Sequence, residues 1–236
     1  MRTSNDRLPA LASALGFIAL LAWDRSPGDL LVAQLAGSGH GFALRDHWLL
    51  TTALHEGGRR LSWAVAFALC LGVWWPQGSL GRLDLPRRLQ LALGSLAAAL
   101  CVGALKSVSA TSCPWDLREF GGVAQHLGHW HGFWQADGGT GRCFPAGHAS
   151  AGFGFLGGWF AWRRIDPARA RRWLAGALLA GLALGLGQQW RGAHFMSHTL
   201  WSAWLCWNVA WAADRLRAAL APRSNAGCPV RPGDAA

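Results

Sequence analysis

The chain has 236 residues, of which 52% are hydrophobic and 14% are charged, whereas a typical soluble domain is roughly 25% charged. The formal net charge is +10, but the basic residues are scattered between apolar blocks rather than gathered in one stripe, which argues against a nucleic-acid-binding protein. Sixteen Trp and 31 Gly are typical of a chain that crosses a membrane, since Trp gathers at bilayer interfaces and Gly at close helix contacts.

Six apolar segments follow one another along the chain, and each is a little shorter than the ~20 residues that span a bilayer. Polar helical extensions would supply the missing length, so we predict an all-α, polytopic membrane bundle of about six transmembrane helices. A signal peptide would also fit the first segment, but the following WDRSPG has no small-residue cleavage site, which favours an uncleaved helix. The segments are Leu8–Trp23, Leu61–Trp75, Leu89–Leu105, Ala149–Trp162, Trp173–Gly187 and Phe195–Trp211.

The basic residues are unevenly divided between the connections. Fourteen of the 22 fall in alternate segments, namely 1–7, 76–88, 163–172 and 212–236. Because loops rich in Lys and Arg stay in the cytoplasm, both termini are predicted to be cytoplasmic. The protein is then expected in a bacterial-type inner membrane, with its longer loops facing the periplasm.

Two long loops lie on the predicted outer side, residues 24–60 and 107–147. In the first, the apolar spacing predicts an amphipathic helix in the bilayer interface, carried by Leu44, Trp48, Leu49 and Leu54. The second is rich in Gly, Trp and His. It contains Cys113 and Cys143, for which we consider both a disulfide in an oxidising compartment and a pair of free packing cysteines.

A single domain is predicted over residues 1–220. The remaining tail, residues 221–236, has the sequence APRSNAGCPVRPGDAA and is predicted to be disordered.

Three clusters of polar residues interrupt the apolar pattern on the outer side. The first is KSVSATSCPWD, where Lys106 ends the third segment; a lysine there can also simply reach the interface with its charged end. The second is GRCFPAGHAS, which opens the fourth segment. Its Pro145 suits a first helical turn, where free N–H groups favour an anion, and Arg142 and His148 flank it.

The third cluster, QQWRGAHFMSH, contains Gln188, Arg191, His194 and His198. Fixed cations, a helix start and histidines together meet the needs of phosphoryl transfer. A metal is the alternative for His194 and His198, since residues four apart share a helix face. It would need a third ligand, usually with a carboxylate; no HExxH occurs, and His126, His129 and His131 fit an interfacial aromatic loop equally well. We therefore expect no metal and no cofactor.

These clusters resemble the motifs of the type 2 phosphatidic acid phosphatase superfamily, which are Lys-x6-Arg-Pro, Pro-Ser-Gly-His and Ser-Arg-x5-His-x3-Asp. Here Lys106 is followed, after six residues, by Cys113-Pro114. The second element corresponds to Pro145-Ala146-Gly147-His148. The third corresponds to His194, followed after three residues by His198. The resemblance covers roughly residues 60–212 and includes a six-helix plan.

The resemblance implies a metal-independent membrane phosphatase that hydrolyses a lipid phosphate or diphosphate at the outer face of the inner membrane. His194 would attack phosphorus to form a phosphohistidine, and His148 would protonate the leaving oxygen and then activate water. Lys106 and the N–H groups around Gly147 would hold the phosphate oxygens. A lipid phosphotransferase with the same site, or a non-catalytic lipid-phosphate binder or transporter, remains open. The oligomeric state is not indicated.

Four positions depart from the family pattern, and two of them remove phosphate-binding arginines: Cys113 and Gln188 stand for Arg, Ala146 for Ser, and His198 for Asp. We hypothesise that Arg142 and Arg191 replace the missing arginines. Neutral His198 can accept one hydrogen bond from His194 but brings no negative charge. Activity should then be sensitive to acid, because protonated His198 cannot accept; alternatively, His198 is a packed polar residue in a partly degenerate site.

Overall fold

The computed structural model describes residues 7–221 and is mostly helical, with 72% of these described residues in α-, 3-10 or π-helices. A short antiparallel hairpin, β1 (Gly37–Ser38) with β2 (Gly41–Phe42), follows the second helix. Apart from Ala221, the tail predicted to be disordered lies outside the described residues. The α-helices of residues 7–221 are α1 (Arg7–Asp24), α2 (Gly28–Gln34), α3 (Gly58–Trp74), α4 (Leu85–Val108), α5 (Gly147–Phe153), α6 (Gly157–Trp162), α7 (Pro167–Trp190) and α8 (Met196–Leu220).

Each of the six predicted apolar segments falls on a helix or a helical run. The fourth is divided, because α5 passes through the 3-10 turn Gly154–Leu156 into α6. Within the described residues, two helices, α1 and α4, are by length and hydropathy able to cross a membrane. The helical class is therefore confirmed, whereas the crossing of six helices stays a prediction.

The starts of α4 and α7 are defined by the same sequence signal, an Asp followed by Pro in the first turn. Asp84 Oδ1 accepts a hydrogen bond from the N–H of Arg87 at 3.0 Å, and Asp166 Oδ1 accepts one from the N–H of Arg169 at 3.0 Å. Such a cap satisfies a free N–H and complements the helix dipole. Proline is tolerated in the first turn because a backbone N–H there would have no partner within the helix. Both helices have 24 residues, so they reach the far end of the bundle together.

Helices α5 and α7 cross at very short distance because glycines lie at the crossing point. A Cβ placed on Gly152 would lie 2.2 Å from the backbone N of Gly181, and one on Gly181 would lie 2.3 Å from Cδ1 of Phe153. Small residues of this kind let two helix backbones approach closely. The crossing sets the position of the first turn of α5 relative to the end of α7.

The two ends of the bundle differ in chemistry. At one end, Asp214 pairs with Arg163 at 2.7 Å and with Arg217 at 3.0 Å, and Arg82 pairs with Asp166 at 3.2 Å. At the other end lie the last turn of α4 and the first turns of α5 and α8, which carry the three motifs. The arginine-rich end coincides with the segments predicted to be cytoplasmic; the orientation in a membrane itself stays a prediction.

The first outer loop departs from its predicted structure. Leu49–Gly57 forms a π-helix that continues directly into α3, so a helix is present where one was predicted, but as an extension of α3; its place in a bilayer interface stays a prediction. No proline interrupts the chain between Leu49 and α3, and the helical run therefore continues through the glycines. Leu44, Trp48 and Leu49 are exposed, as an interfacial position would require. A π-helical stretch is rare and frequently lies at a functional site.

The second outer loop folds onto the first around a small apolar core of its own. This core contains Ala33, Phe42, Leu117, Phe120, Ala124 and Phe195. It joins both loops to the start of α8, and so it covers the end of the bundle where the motifs lie.

Candidate active site

The three motif segments are tied to one another by backbone hydrogen bonds. The N–H of Trp115 donates to the carbonyl of Gly192 at 3.0 Å, which joins the first segment to the third. The N–H of Cys143 donates to the carbonyl of Thr111 at 2.9 Å, which joins the second to the first. A disulfide between Cys113 and Cys143, with Cα atoms 5.2 Å apart, crosses the same junction. The sequence left open a disulfide or two free cysteines, and the structure contains the disulfide.

The start of α5 is held against the first turn of α8. The N–H of Ala146 donates to the carbonyl of His198 at 3.2 Å. The hydroxyl of Ser202 lies 3.0 Å from the carbonyl oxygen of Ala146 and 2.9 Å from that of His198. The second and third motifs thus face each other at a fixed register.

His194 lies in the short connection between α7 and α8, just after a tight turn. Gly192 has a φ of 75°, which glycine adopts readily, and a Cβ there would lie 2.3 Å from the ring of Phe42. His194 is 5% exposed, and its Nδ1 has no hydrogen-bond partner within residues 7–221. Burial, with the nearby charge of Lys106, lowers the pKa of His194 well below its usual value. The ring is therefore neutral near pH 7, the form in which imidazole is a nucleophile.

Lys106 extends from the last turn of α4 across the first residue of α5. Its Cδ lies 3.6 Å from the position of a Cβ on Gly147, and its charge acts on both His148 and His194. A larger side chain at Gly147 would meet the stem of this lysine. The structure thus brings together Lys106, Gly147, His148 and His194, which the motifs predicted as one site.

His148, in the first turn of α5, is held by His55 of the π-helix. The two rings stack with centroids 3.6 Å apart and an interplanar angle of 14°. Nε2 of His148 lies 3.2 Å from the carbonyl oxygen of His55. Because a carbonyl only accepts, Nε2 carries the proton, and Nδ1 is left to exchange a proton with a substrate. Burial, followed by the charge of His55, lowers the pKa of His148 to about 4.

His55 was not among the residues predicted to form the site. Its Nδ1 lies 3.1 Å from Oε1 of Glu56, whose Oε2 lies 2.7 Å from Arg59. The contact between His55 and His148 joins positions 93 residues apart. No spacing rule predicts such a pair. The sequence offered a single local indication, the titratable side chains of HEGGRR just before an apolar segment.

Gln188 and Arg191 lie together at the end of α7, one turn apart as their spacing predicted. Arg191 Nη1 donates to Oε1 of Gln188 at 3.1 Å, and its Nε donates to the carbonyl of Arg45 at 2.7 Å. Gln188 is 3% exposed, and its Nε2 has no partner in the described part of the chain. Buried polar groups are nearly always hydrogen-bonded, so this donor is available to an incoming acceptor.

Arg142 is placed differently from the other predicted ligands. Its backbone belongs to the motif junction, with its N–H donating to the carbonyl of Ser109 at 2.7 Å, but the residue is exposed to solvent. Its φ of 58° is in the left-handed region, which is uncommon for a residue other than glycine. A contact between the Arg142 guanidinium and phosphate stays a prediction.

His198 is buried in the first turn of α8, 1% exposed, with its ring 5.7 Å from that of His194. Within residues 7–221 neither His194 Nδ1 nor His198 Nδ1 has a partner, so the hydrogen bond expected through the second ring nitrogen of His194 is not formed. His198 lines a separate cavity of about 80 Å³, which Asp24, His126 and His129 also line. Over the same residues, no group of three or more His, Cys, Asp or Glu side chains is arranged to hold a metal ion.

A sequence model of the PAP2 superfamily matches residues 88–220, a stretch that contains all three motifs and more than half of the chain. The chain therefore belongs to the PAP2 superfamily, as the resemblance predicted. Members of this superfamily are phosphatases that hydrolyse phosphate esters. No curated protein and no solved structure matches the chain significantly.

Proposed function

We propose that the protein is an integral membrane phosphatase that removes phosphate from a lipid phosphate or diphosphate through a phosphohistidine. The observation that carries the proposal is the convergence of Lys106, His148 and His194 at one end of a helical bundle, in a chain of the PAP2 superfamily. A cation, a proton donor and a neutral nucleophile are the groups that phosphoryl transfer without a metal requires.

The outer surface of the helices supports a membrane location. On α1 and α3 the exposed residues form apolar stripes at helical spacing, the reverse of a helix that faces water. Contiguous exposed apolar surface of this extent is rare on soluble monomers. The exposed side chains are Leu8, Leu11, Leu15 and Ile18 on α1 and Trp63, Phe67, Leu71 and Trp74 on α3. With the arginine-rich end in the cytoplasm, the site faces the periplasm of an inner membrane.

A lateral cleft supports a lipid substrate. A cavity of about 280 Å³ lies between α3 and α4, bordered by Gly147 and His148 at the site and by Trp63, Leu96 and Phe155 along its length. An apolar groove of about 730 Å³ on the other side of α3 shares Phe155 with it. A lipid entering sideways from a bilayer would keep its tail in these apolar spaces while its phosphate meets His148.

The geometry supports the following roles. His194 attacks phosphorus, a P–N bond forms as the ester P–O bond breaks, and the leaving oxygen takes a proton from Nδ1 of His148. The same nitrogen then removes a proton from water as the water attacks phosphorus and breaks the P–N bond. The low pKa of free His148 means that it must gain its proton when substrate binds, and the phosphate's negative charge favours this.

Three groups would hold the phosphate oxygens beside Lys106. The unpaired Nε2 of Gln188 offers a neutral donor, and Arg191, which is bonded to the same amide, offers a charge. Arg142 would join them only after its side chain turns inward from solvent. In this arrangement fixed cations, rather than a metal ion, would neutralise the charge on the phosphate oxygens.

The test is phosphate release by the detergent-purified full-length protein on a panel of lipid phosphates, with and without EDTA. His194→Ala should abolish release while the protein stays folded, and His40→Ala, an exposed histidine on the same side of the predicted membrane, should not. Release that EDTA abolishes, or that survives in His194→Ala, would refute the mechanism. A phosphorylated second lipid in place of free phosphate would instead show phosphotransfer.

A further inference from the structure

A carboxylate lies near the site on the side of His198. Asp24, at the end of α1, has Oδ2 3.3 Å from Nε2 of His129, an ion-pair distance at which Nε2 makes no hydrogen bond within residues 7–221. The same oxygen accepts from the indole N–H of Trp130 at 2.9 Å and from that of Trp201 at 3.0 Å. The carboxylate is therefore held in place and largely shielded from solvent.

His129 links this carboxylate to His198. Its ring is stacked on Phe144, with centroids 4.1 Å apart at 12°, and it lies perpendicular to the ring of His198 with centroids 5.8 Å apart. A carboxylate beside Nε2 favours the tautomer of His129 that carries its proton on Nε2, and that tautomer keeps Nδ1 as an acceptor. The ring of His198 in turn lies 5.7 Å from that of His194.

The cavity of about 80 Å³ lies among these groups, and its polar lining is completed by Thr111, His126 and Asp29. At ~30 Å³ each, two waters would fit and bridge them. The other titratable groups around His198 have contacts of their own. Asp29 accepts hydrogen bonds from the backbone N–H and the hydroxyl of Ser197, and His126 packs against Phe195. The remaining neighbours of this kind are the nucleophile His194 and the charged Lys106.

We propose that Asp24, acting through His129 and His198, supplies the negative charge that the family motif would carry at position 198. The inference rests on the proposed phosphatase function. When His194 forms its P–N bond and the leaving oxygen takes the proton of His148, the ring of His194 becomes a buried cation. A buried cation needs a compensating charge. Asp24 provides it without touching substrate or changing its own protonation, and is therefore a positioning residue.

The test is a double-mutant cycle on phosphate release. Asp24→Asn keeps an oxygen that can accept both indole N–H groups but removes the charge, and should lower kcat/KM by about 10- to 100-fold, by analogy with the loss of a carboxylate that orients a metal-bound histidine. His198→Asp places a carboxylate directly beside His194. In that background Asp24→Asn should lower kcat/KM by no more than about threefold, because the charge is no longer needed.

Asp29→Asn is the matched control, since it removes a carboxylate from the same cavity that does not contact His129. Asp29→Asn should lower kcat/KM by the same factor whether position 198 is His or Asp. If Asp24 only anchors the two tryptophans, Asp24→Asn will also cost the same factor in both backgrounds, and the proposal is overturned.

A second cycle covers the case in which His198→Asp does not fold. Asp24→Asn, His129→Gln and their combination should each lose about the same activity, because they interrupt one path, and each should move the acid limb of the kcat/KM profile. Losses that multiply would overturn the relay while leaving the phosphatase in place. A wild-type protein that releases no phosphate from any lipid would overturn the proposed function and the relay together.

Discussion

Replacing Gly152 with Ala should separate α5 from α7 and so misplace His148, the proposed proton donor. The new Cβ would lie 2.2 Å from the backbone N of Gly181 and 2.6 Å from the carbonyl carbon of Ala180. Ordinary contacts begin near 3.4 Å, and both obstacles are backbone atoms that cannot rotate away. The helices must therefore part by about 1 Å, which as overpacking costs about 1–3 kcal/mol of folding free energy. His148 lies one turn from Gly152, and a misplacement of about 1 Å can lower turnover by roughly 100-fold.

The assay compares kcat/KM for phosphate release and the thermal unfolding midpoint in detergent between Gly152→Ala and the wild type. Gly176→Ala is the control: it lies on α7, and a Cβ there would meet nothing within 4 Å. It should retain activity and gain up to about 1 kcal/mol, because Ala is the better helix former. Wild-type activity and stability in Gly152→Ala would refute the reasoning, as would equal losses in both variants.

Three further predictions concern the disulfide, the stacked histidines and the pH dependence of stability. Breaking the Cys113–Cys143 disulfide, by reductant or by replacing both residues with Ser, should cost roughly 3–4 kcal/mol of stability for a closed loop of 30 residues and lower activity; unchanged melting on complete reduction would contradict this. Replacing His55 with Ala should lower kcat/KM by about 10- to 100-fold, as a lost orienting group does, whereas His55→Phe keeps the stack on His148 and should restore much of it; equal losses would show that stacking is irrelevant. Since the pKa of His148 falls from 6.5 to about 4 on folding, the unfolded chain binds the extra proton between these values, so the ligand-free protein should lose stability as pH falls from 6.5 to about 4. Orthovanadate should reduce that loss by favouring the protonated ring, and a thermal-shift series with and without vanadate checks both parts.

Much of the helical framework was predictable because it depends on local chemistry. Apolar runs of helical length can satisfy their backbone only as helices in a lipid environment, and the Asp-Pro signals at Asp84 and Asp166 mark where two of them begin. The form of the helix at Leu49–Gly57 was not predictable, because its apolar pattern does not distinguish an isolated helix from a π-helical extension of α3.

The family and the three principal candidate site residues could be predicted from the sequence. Lys106, His148 and His194 occur in a fixed order at the ends of apolar segments, and antiparallel helices of similar length return such ends to the same side. Their grouping therefore follows from spacing and connectivity alone.

Which groups surround those residues depends on the tertiary fold. His55 contacts His148 across 93 positions, and Asp24 at the end of α1 contacts His129 in the second outer loop. Arg142 belongs to a motif and yet is exposed to solvent. A side chain's partners depend on how helices cross, and here the crossing depends on glycine contacts such as that between Gly152 and Gly181. No local period or motif encodes such long-range contacts, because they arise from packing of the whole bundle.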